Sequence, residues 1–249
     1  MTRSSLTTAL VATMLGAACA DSAVTNREYA DLARMVGAGL ATPDGGGEVG
    51  ALTDATTLAR GGLPAGFTQI ASVVQGSHLG MTYRYIAICM AASGVVLDRC
   101  GPSTDHAVVL ASWSGMLQLP ELGGRMRRDG IWHLTAVGSP MAMVTGTSWL
   151  SRQDGSFVDQ PTVTYRLTDS KDAMMFVDMA SGEMVGGGMK IDLVVDRSEV
   201  ADHGTQHWSY DVAVDASFAP DQTVALTLDA SHDFVVDLAT GMLIAPPLY

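Results

Sequence analysis

Four segments in the middle of the chain decide its fold: Thr82–Met90 (TYRYIAICM), Ala107–Leu119 (AVVLASWSGMLQL), Arg125–Val137 (RMRRDGIWHLTAV) and Met141–Leu150 (MAMVTGTSWL). Each is bounded by Gly, Pro, Ser or Asp, and much of each alternates with period two. That pattern marks a half-buried antiparallel sheet. Tyr83, Tyr85, Ala87 and Cys89 share one face of the first segment. Val109, Ala111, Trp113, Leu117 and Leu119 share one face of the second, and Met126, Trp132, Leu134 and Ala136 one face of the third. In the fourth, Met141, Met143 and Trp149 oppose Val144 and Leu150, and the facing stays open.

The same rhythm continues to the C-terminus. Val163, Tyr165 and Leu167 oppose Thr164 and Arg166, and Met174 and Phe176 form a short strand. Met189, Ile191, Leu193 and Val195 oppose Lys190 and Asp192. Trp208, Tyr210, Val212 and Val214 oppose Asp211 and Asp215. Val224, Leu226 and Leu228 precede Phe234, Val236 and Leu238 in the same manner. One apolar face and one Asp/Thr/Ser face suit an antiparallel sheet with a wet side. The connections, read at Thr168–Asp172, Asp178–Val185, Ala219–Gln222, Asp229–Asp233 and Ala239–Gly241, are too short for crossover helices. Roughly ten or more hairpin-linked strands with one apolar face must curl or close. The expected fold is all-β: an antiparallel up-and-down meander forming a barrel or a strongly curved half-barrel, with a short N-terminal helix. The alternative is a two-sheet β-sandwich.

That helix falls within Ser22–Ala41, where Thr25 or Asn26 can cap it and Tyr29, Leu32, Ala33, Val36 and Leu40 form a stripe. Upstream, Met1–Ala18 has one Arg, a short apolar run and small residues, as a secretory signal peptide does. Two readings of its end stand open. Leu15–Cys19 is similar to a bacterial lipobox, making Cys19 the lipidation candidate; cleavage after Ala20 would instead give a soluble secreted protein. The expected organisation is a signal peptide at 1–20, a helix and linker segment at 21–66, and the antiparallel β domain at 67–249. The protein is expected to be exported, secreted or lipid-anchored in the bacterial cell envelope.

Of three cysteines, Cys89 and Cys100 remain once Cys19 is removed or acylated. In an oxidising compartment they pair as a disulfide closing a loop of about a dozen residues. The net charge of −12 repels phosphate backbones and argues against nucleic acid.

Motifs for chemistry are sparse. His203 and His207, in HGTQH, are weak candidates for a metal, because Gly204 and Thr205 break the helix that such spacing requires. His106 beside Asp105 and His232 beside Asp233 would point to opposite strand faces and form no dyad. No GxSxG elbow occurs, and Gly45–Gly50 matches GxGxxG; Ala51–Ala59 could form the short helix that should follow it, but a helix candidate and not a strand precedes it, so the βαβ context fails. Arg125, Arg127 and Arg128 form a basic cluster, expected as a solvated hairpin flank paired with Asp129 and Glu121. The chain holds 15 Met, and Met126, Trp132, Met141, Met143 and Met189 are the candidates for lining an interior that holds an apolar ligand. No catalytic residue and no cofactor are indicated.

The leader, GGGEVGALTDA (Gly45–Ala55), YRYIAIC (Tyr83–Cys89), the Cys100 loop and LTLDASHDFVVDL (Leu226–Leu238) together resemble an uncharacterised group of exported, β-rich, lipoprotein-like bacterial proteins. That resemblance implies no activity. By architecture the chain also resembles periplasmic lipid-carrier half-barrels. The expectation is a non-catalytic envelope or secreted protein with a binding role and an unknown protein partner. The alternatives are a carrier of an apolar or lipid-like ligand, and a hydrolase with a non-local site. A membrane contact would come through the lipid anchor.

Overall fold

A computed structural model describes residues 24–41, 47–78, 80–118 and 122–245. The expected leader, Cys19, residues 42–46 with the start of the glycine run, and Glu121, expected beside the arginine cluster, lie outside the described residues.

Among the described residues, twelve strands form one antiparallel sheet in strict sequence order. They are β1 (Thr68–Ile70), β2 (Val73–His78), β3 (Met81–Met90), β4 (His106–Gln118), β5 (Leu122–Thr135) and β6 (Met141–Phe157). There follow β7 (Val163–Asp178), β8 (Met184–Ala201), β9 (Gly204–Phe218), β10 (Thr223–Leu228), β11 (His232–Asp237) and β12 (Leu243–Ala245). β1 and β12 are the two edges, so the sheet is an open meander. Its inner face carries the apolar set: Tyr83 and Tyr85 on β3, Val109 and Trp113 on β4, Met126 and Trp132 on β5, and so on to Val236 on β11. Trp113 and Trp132 pack at 5.7 Å between ring centroids, with Tyr83 on the far side of Trp113 at 6.4 Å.

Two helices lie on that face, α1 (Asn26–Leu40) and α2 (Glu48–Ala59). Thr25 begins α1 with a capping box: its side chain accepts from the Glu28 amide, and its own amide donates to the Glu28 carboxylate at 2.7 Å. Such a cap contributes about 1 kcal/mol. From Tyr29 onward every residue of α1 except Arg34 is buried. A helix buried all round sits inside something.

The curvature follows from reach. Side chains or backbone of α1 touch β6 through Gln153 and β7 through Tyr165, and the helix packs on β10, β11 and β12. Likewise α2 packs on β3 and β4 and meets β5, β6 and β7 through Glu48. Laid flat, β3 to β12 would span roughly 43 Å at ~4.8 Å per strand spacing, well beyond two helices of ~10 Å diameter. The sheet therefore curls around them.

The glycine run acts through space. A Cβ on Gly47, the residue before α2, would lie 1.9 Å from the Ala41 carbonyl oxygen, where the chain passes the end of α1. Close approach between the helices needs glycine there.

Four expectations change. The meander carries two helices and not one: the stretch Ala51–Ala59 is helical, and its helix starts earlier, at Glu48. Thr168–Asp172 is no connection; it lies within β7, which runs unbroken from Val163 to Asp178. Met175 and Val177 face inward on that strand, while Met174 is exposed. Arg128 is no solvated flank: it is 1% exposed, on the same face as Met126 and Trp132. Met141 and Met143 lie on the outer face of β6, whose inner face is Ala142, Val144, Ser148 and Leu150, so they do not line the interior.

Candidate functional site

Five polar side chains meet in the interior where α2 begins. Glu48 of α2 faces Arg128 of β5, Ser148 of β6, and Asp169 and Lys171 of β7. The Arg128 fork donates to both Asp169 carboxylate oxygens, at 3.1 and 2.9 Å, and to Glu48 at 3.3 Å. Lys171 donates to Glu48 at 3.1 Å and stands 3.7 Å from Asp169. Ser148 donates to the other Glu48 oxygen, and the Leu150 amide to Asp169 at 3.2 Å.

Two acids and two bases cancel, and the four charged side chains are each 4% exposed or less. Burial works against the Asp169 carboxylate, but Arg128 and Lys171 outweigh it and hold its pKa below the ordinary value. For Lys171 burial wins, helped by the neighbouring Arg128 charge, and its pKa falls. Burial opposes Arg128 too, yet Asp169 and Glu48 raise it. This is a sealed, neutral network. Without access for a substrate it is a lock: it fixes the start of α2 against three strands.

A second constellation is open to solvent. At the start of α1, Tyr165 of β7, Arg197 of β8 and Trp208 of β9 stand directly opposite one another in register, forming a row across three strands. The Arg197 guanidinium lies over the Trp208 ring at 4.5 Å and pairs with Glu199 at 2.6 Å and Glu28 at 3.3 Å. Burial opposes its charge, and these carboxylates together with Tyr165 raise its pKa nonetheless. Behind the row, buried Asp31 accepts from Tyr165 at 2.9 Å and from Gln160 at 3.0 and 3.2 Å. Burial raises the Asp31 pKa despite those donors. The Tyr210 hydroxyl is buried without a hydrogen-bond partner among the described residues, and burial raises its pKa. Together these residues line a cleft of about 510 Å³ at the rim of the curled sheet. It offers aromatic surface, two arginines and several carboxylates.

Compared with protein-family models, curated proteins and solved structures, the chain matches none.

The residues expected to matter from sequence are dispersed. Cys89, at the end of β3, and Cys100 form a disulfide, with Cα atoms 5.2 Å apart. Met126, Trp132 and Met189 point inward and are 3% exposed or less. His203 lies between β8 and β9, and His207 on β9 contacts the Ser198 hydroxyl at 2.9 Å through Nδ1. Among the described residues no group of three metal-ligating side chains gathers there or elsewhere. His106 does meet Asp105, at 2.8 Å: Asp105 precedes β4, so strand alternation does not separate them. His232 contacts Ser231 at 3.0 Å and stacks on Tyr29 at 3.8 Å, while the Tyr29 hydroxyl is committed to Asp229. No described histidine contacts both a carboxylate and a serine, which a hydrolytic triad needs.

Sequence reading missed the Glu48 network, though a signal existed. Arg128, Ser148, Asp169 and Lys171 each fall in phase with the inward apolar residues of their strands. Glu48 gave no such signal, because it arrives on a separate helix.

Proposed function

We propose that this chain is an exported, non-catalytic binding scaffold that presents the rim cleft around Arg197 and Trp208 to its ligand or partner. The observation that carries this reading is the occupancy of the inner face. α1 and α2 cover the side of the sheet where a carrier would hold an apolar molecule, and Met126, Trp132 and Met189 pack there as core. The sealed Glu48 network holds α2 in that position. Export is supported by the Cys89–Cys100 bond, which an oxidising compartment sustains. Either a freely secreted chain or one acylated at Cys19 fits this reading. No helix among the described residues is long and apolar enough to cross a membrane.

A titration with a conjugated polyene fatty acid tests the reading. Trp113 and Trp132 sit together in the interior, so a ligand bound there quenches their emission. The scaffold gives no saturable quenching at micromolar probe. Stoichiometric, saturable quenching would replace it with the carrier.

A further inference from the structure

On the outer face of β5 and β6, Arg127 and Arg152 stand directly opposite each other in register. Like charges placed across a strand pair destabilise it. The arrangement is nonetheless built in by a β-bulge. Leu150 pairs with Arg128 and Arg152 with Arg127, leaving Ser151 as the extra residue. Before the bulge the even positions of β6 face inward; after it Gln153, Gly155 and Phe157 do. Were Ser151 paired in regular register with Arg127, Arg152 would have fallen opposite Met126 and turned into the core. The bulge delivers it to the outer surface beside Arg127, and bulges commonly re-aim a side chain in this way.

Arg125, two residues before Arg127 on the same face, completes the group. These three arginines, with Ser114 and Met116 of β4, line a depression of about 430 Å³. One carboxylate is engaged there: Asp154 pairs with Arg152 and with Arg166, at 3.0 Å for the latter. Among the described residues Arg125 and Arg127 form no ion pair, and Asp129 forms none with Arg127. Among the described residues, three guanidiniums against one shared carboxylate, in a chain of net charge −12, is a local excess of positive charge held in a concavity.

We propose that Arg125, Arg127 and Arg152 form a phosphate-binding site, made for the phosphate group of a lipid headgroup or of a small soluble molecule. Guanidinium forks match tetrahedral phosphate oxygens and bind them with charge-assisted pairs. A bound phosphate also removes the repulsion between Arg127 and Arg152. The site is separate from the rim cleft and stands whether or not that cleft binds anything.

The test uses the full folded chain in phosphate-free buffer. Calorimetric titration with inorganic phosphate and sedimentation with vesicles, of phosphatidylcholine alone or mixed with phosphatidylglycerol, are run in parallel. Saturable binding is expected, weakened at least tenfold in R127Q/R152Q and unchanged in K190Q, which removes a surface charge elsewhere. Binding of free phosphate assigns the site to a soluble phosphate compound; binding of the anionic vesicles alone assigns it to a headgroup. Binding to neither, or equal weakening by K190Q, overturns the proposal. Thermal melting adds an independent readout: without phosphate, R127Q melts no lower than wild type. A clear loss of stability would mean the arginine is structural and would also overturn it.

Discussion

Asp54 of α2 shows what single residues contribute here. Its carboxylate accepts from the Tyr85 hydroxyl at 2.9 Å, and burial pushes its pKa up to about 6. Between the ordinary value of 3.8 and about 6 the folded chain holds a proton that the unfolded chain has released. The stability gained is greatest below the lower value and is lost as pH rises through about 6. D54N keeps an acceptor for Tyr85 and carries no charge. It should melt above wild type at pH 7.5 and close to it at pH 4, as thermal denaturation at both pH values would show; a lower melting point at pH 7.5 contradicts the assignment. Glu48 presents the opposite case. E48A leaves Arg128 and Lys171 buried with one carboxylate between them, and urea unfolding should show a loss of about 3–5 kcal/mol. Replacing Glu48, Arg128, Asp169 and Lys171 together by apolar residues of matching volume should cost far less, because no charge is then left buried alone. Arg128 was legible in principle: two positions from Met126 and four from Trp132, it had to face inward. Its charge argued for solvent, and its compensating carboxylates lie 41 residues later and 80 earlier, beyond any local pattern.

At the scale of elements, strand identity was readable wherever alternation stayed clean. β3, β8, β9, β10 and β11 have the inward residues that their sequences indicated. Reading failed where polar residues served the core, as in β7, where Asp169 and Lys171 resemble turn chemistry, and where phase changed, as at the Ser151 bulge of β6. α2 was legible in part: a short helix could be read over Ala51–Ala59, but its start at Glu48 depends on Gly47 fitting against Ala41, a tertiary contact. The long connection from β3 to β4 is closed by Cys89 and Cys100, eleven residues apart. Loop closure at that length is worth about 2–4 kcal/mol. C89A/C100A should lose that amount in urea unfolding while keeping its β circular dichroism; an unchanged midpoint would mean the loop is held by its other contacts alone.

For the whole molecule, the sequence pointed to curling but not to what fills the curl. A one-sided apolar face over many short-linked strands requires wrapping, and 27 glycines and turn residues permit it. Whether the wrapped space holds a ligand or the chain itself depends on helices whose burial only the assembled structure reveals. Here α1 and α2 fill it, and the rim cleft and the outer arginine depression are left as accessible features. Native mass spectrometry of the protein purified from its own host, read before and after denaturation, addresses this occupancy directly. For R127Q/R152Q, whose outer depression no longer holds a phosphate group, the account expects the same mass in both states once any covalent acyl group on Cys19 is counted, and no apolar molecule released on unfolding. A lipid-sized mass present in that variant's native state and lost on denaturation would contradict it, and would mean that the helices share the interior with a ligand.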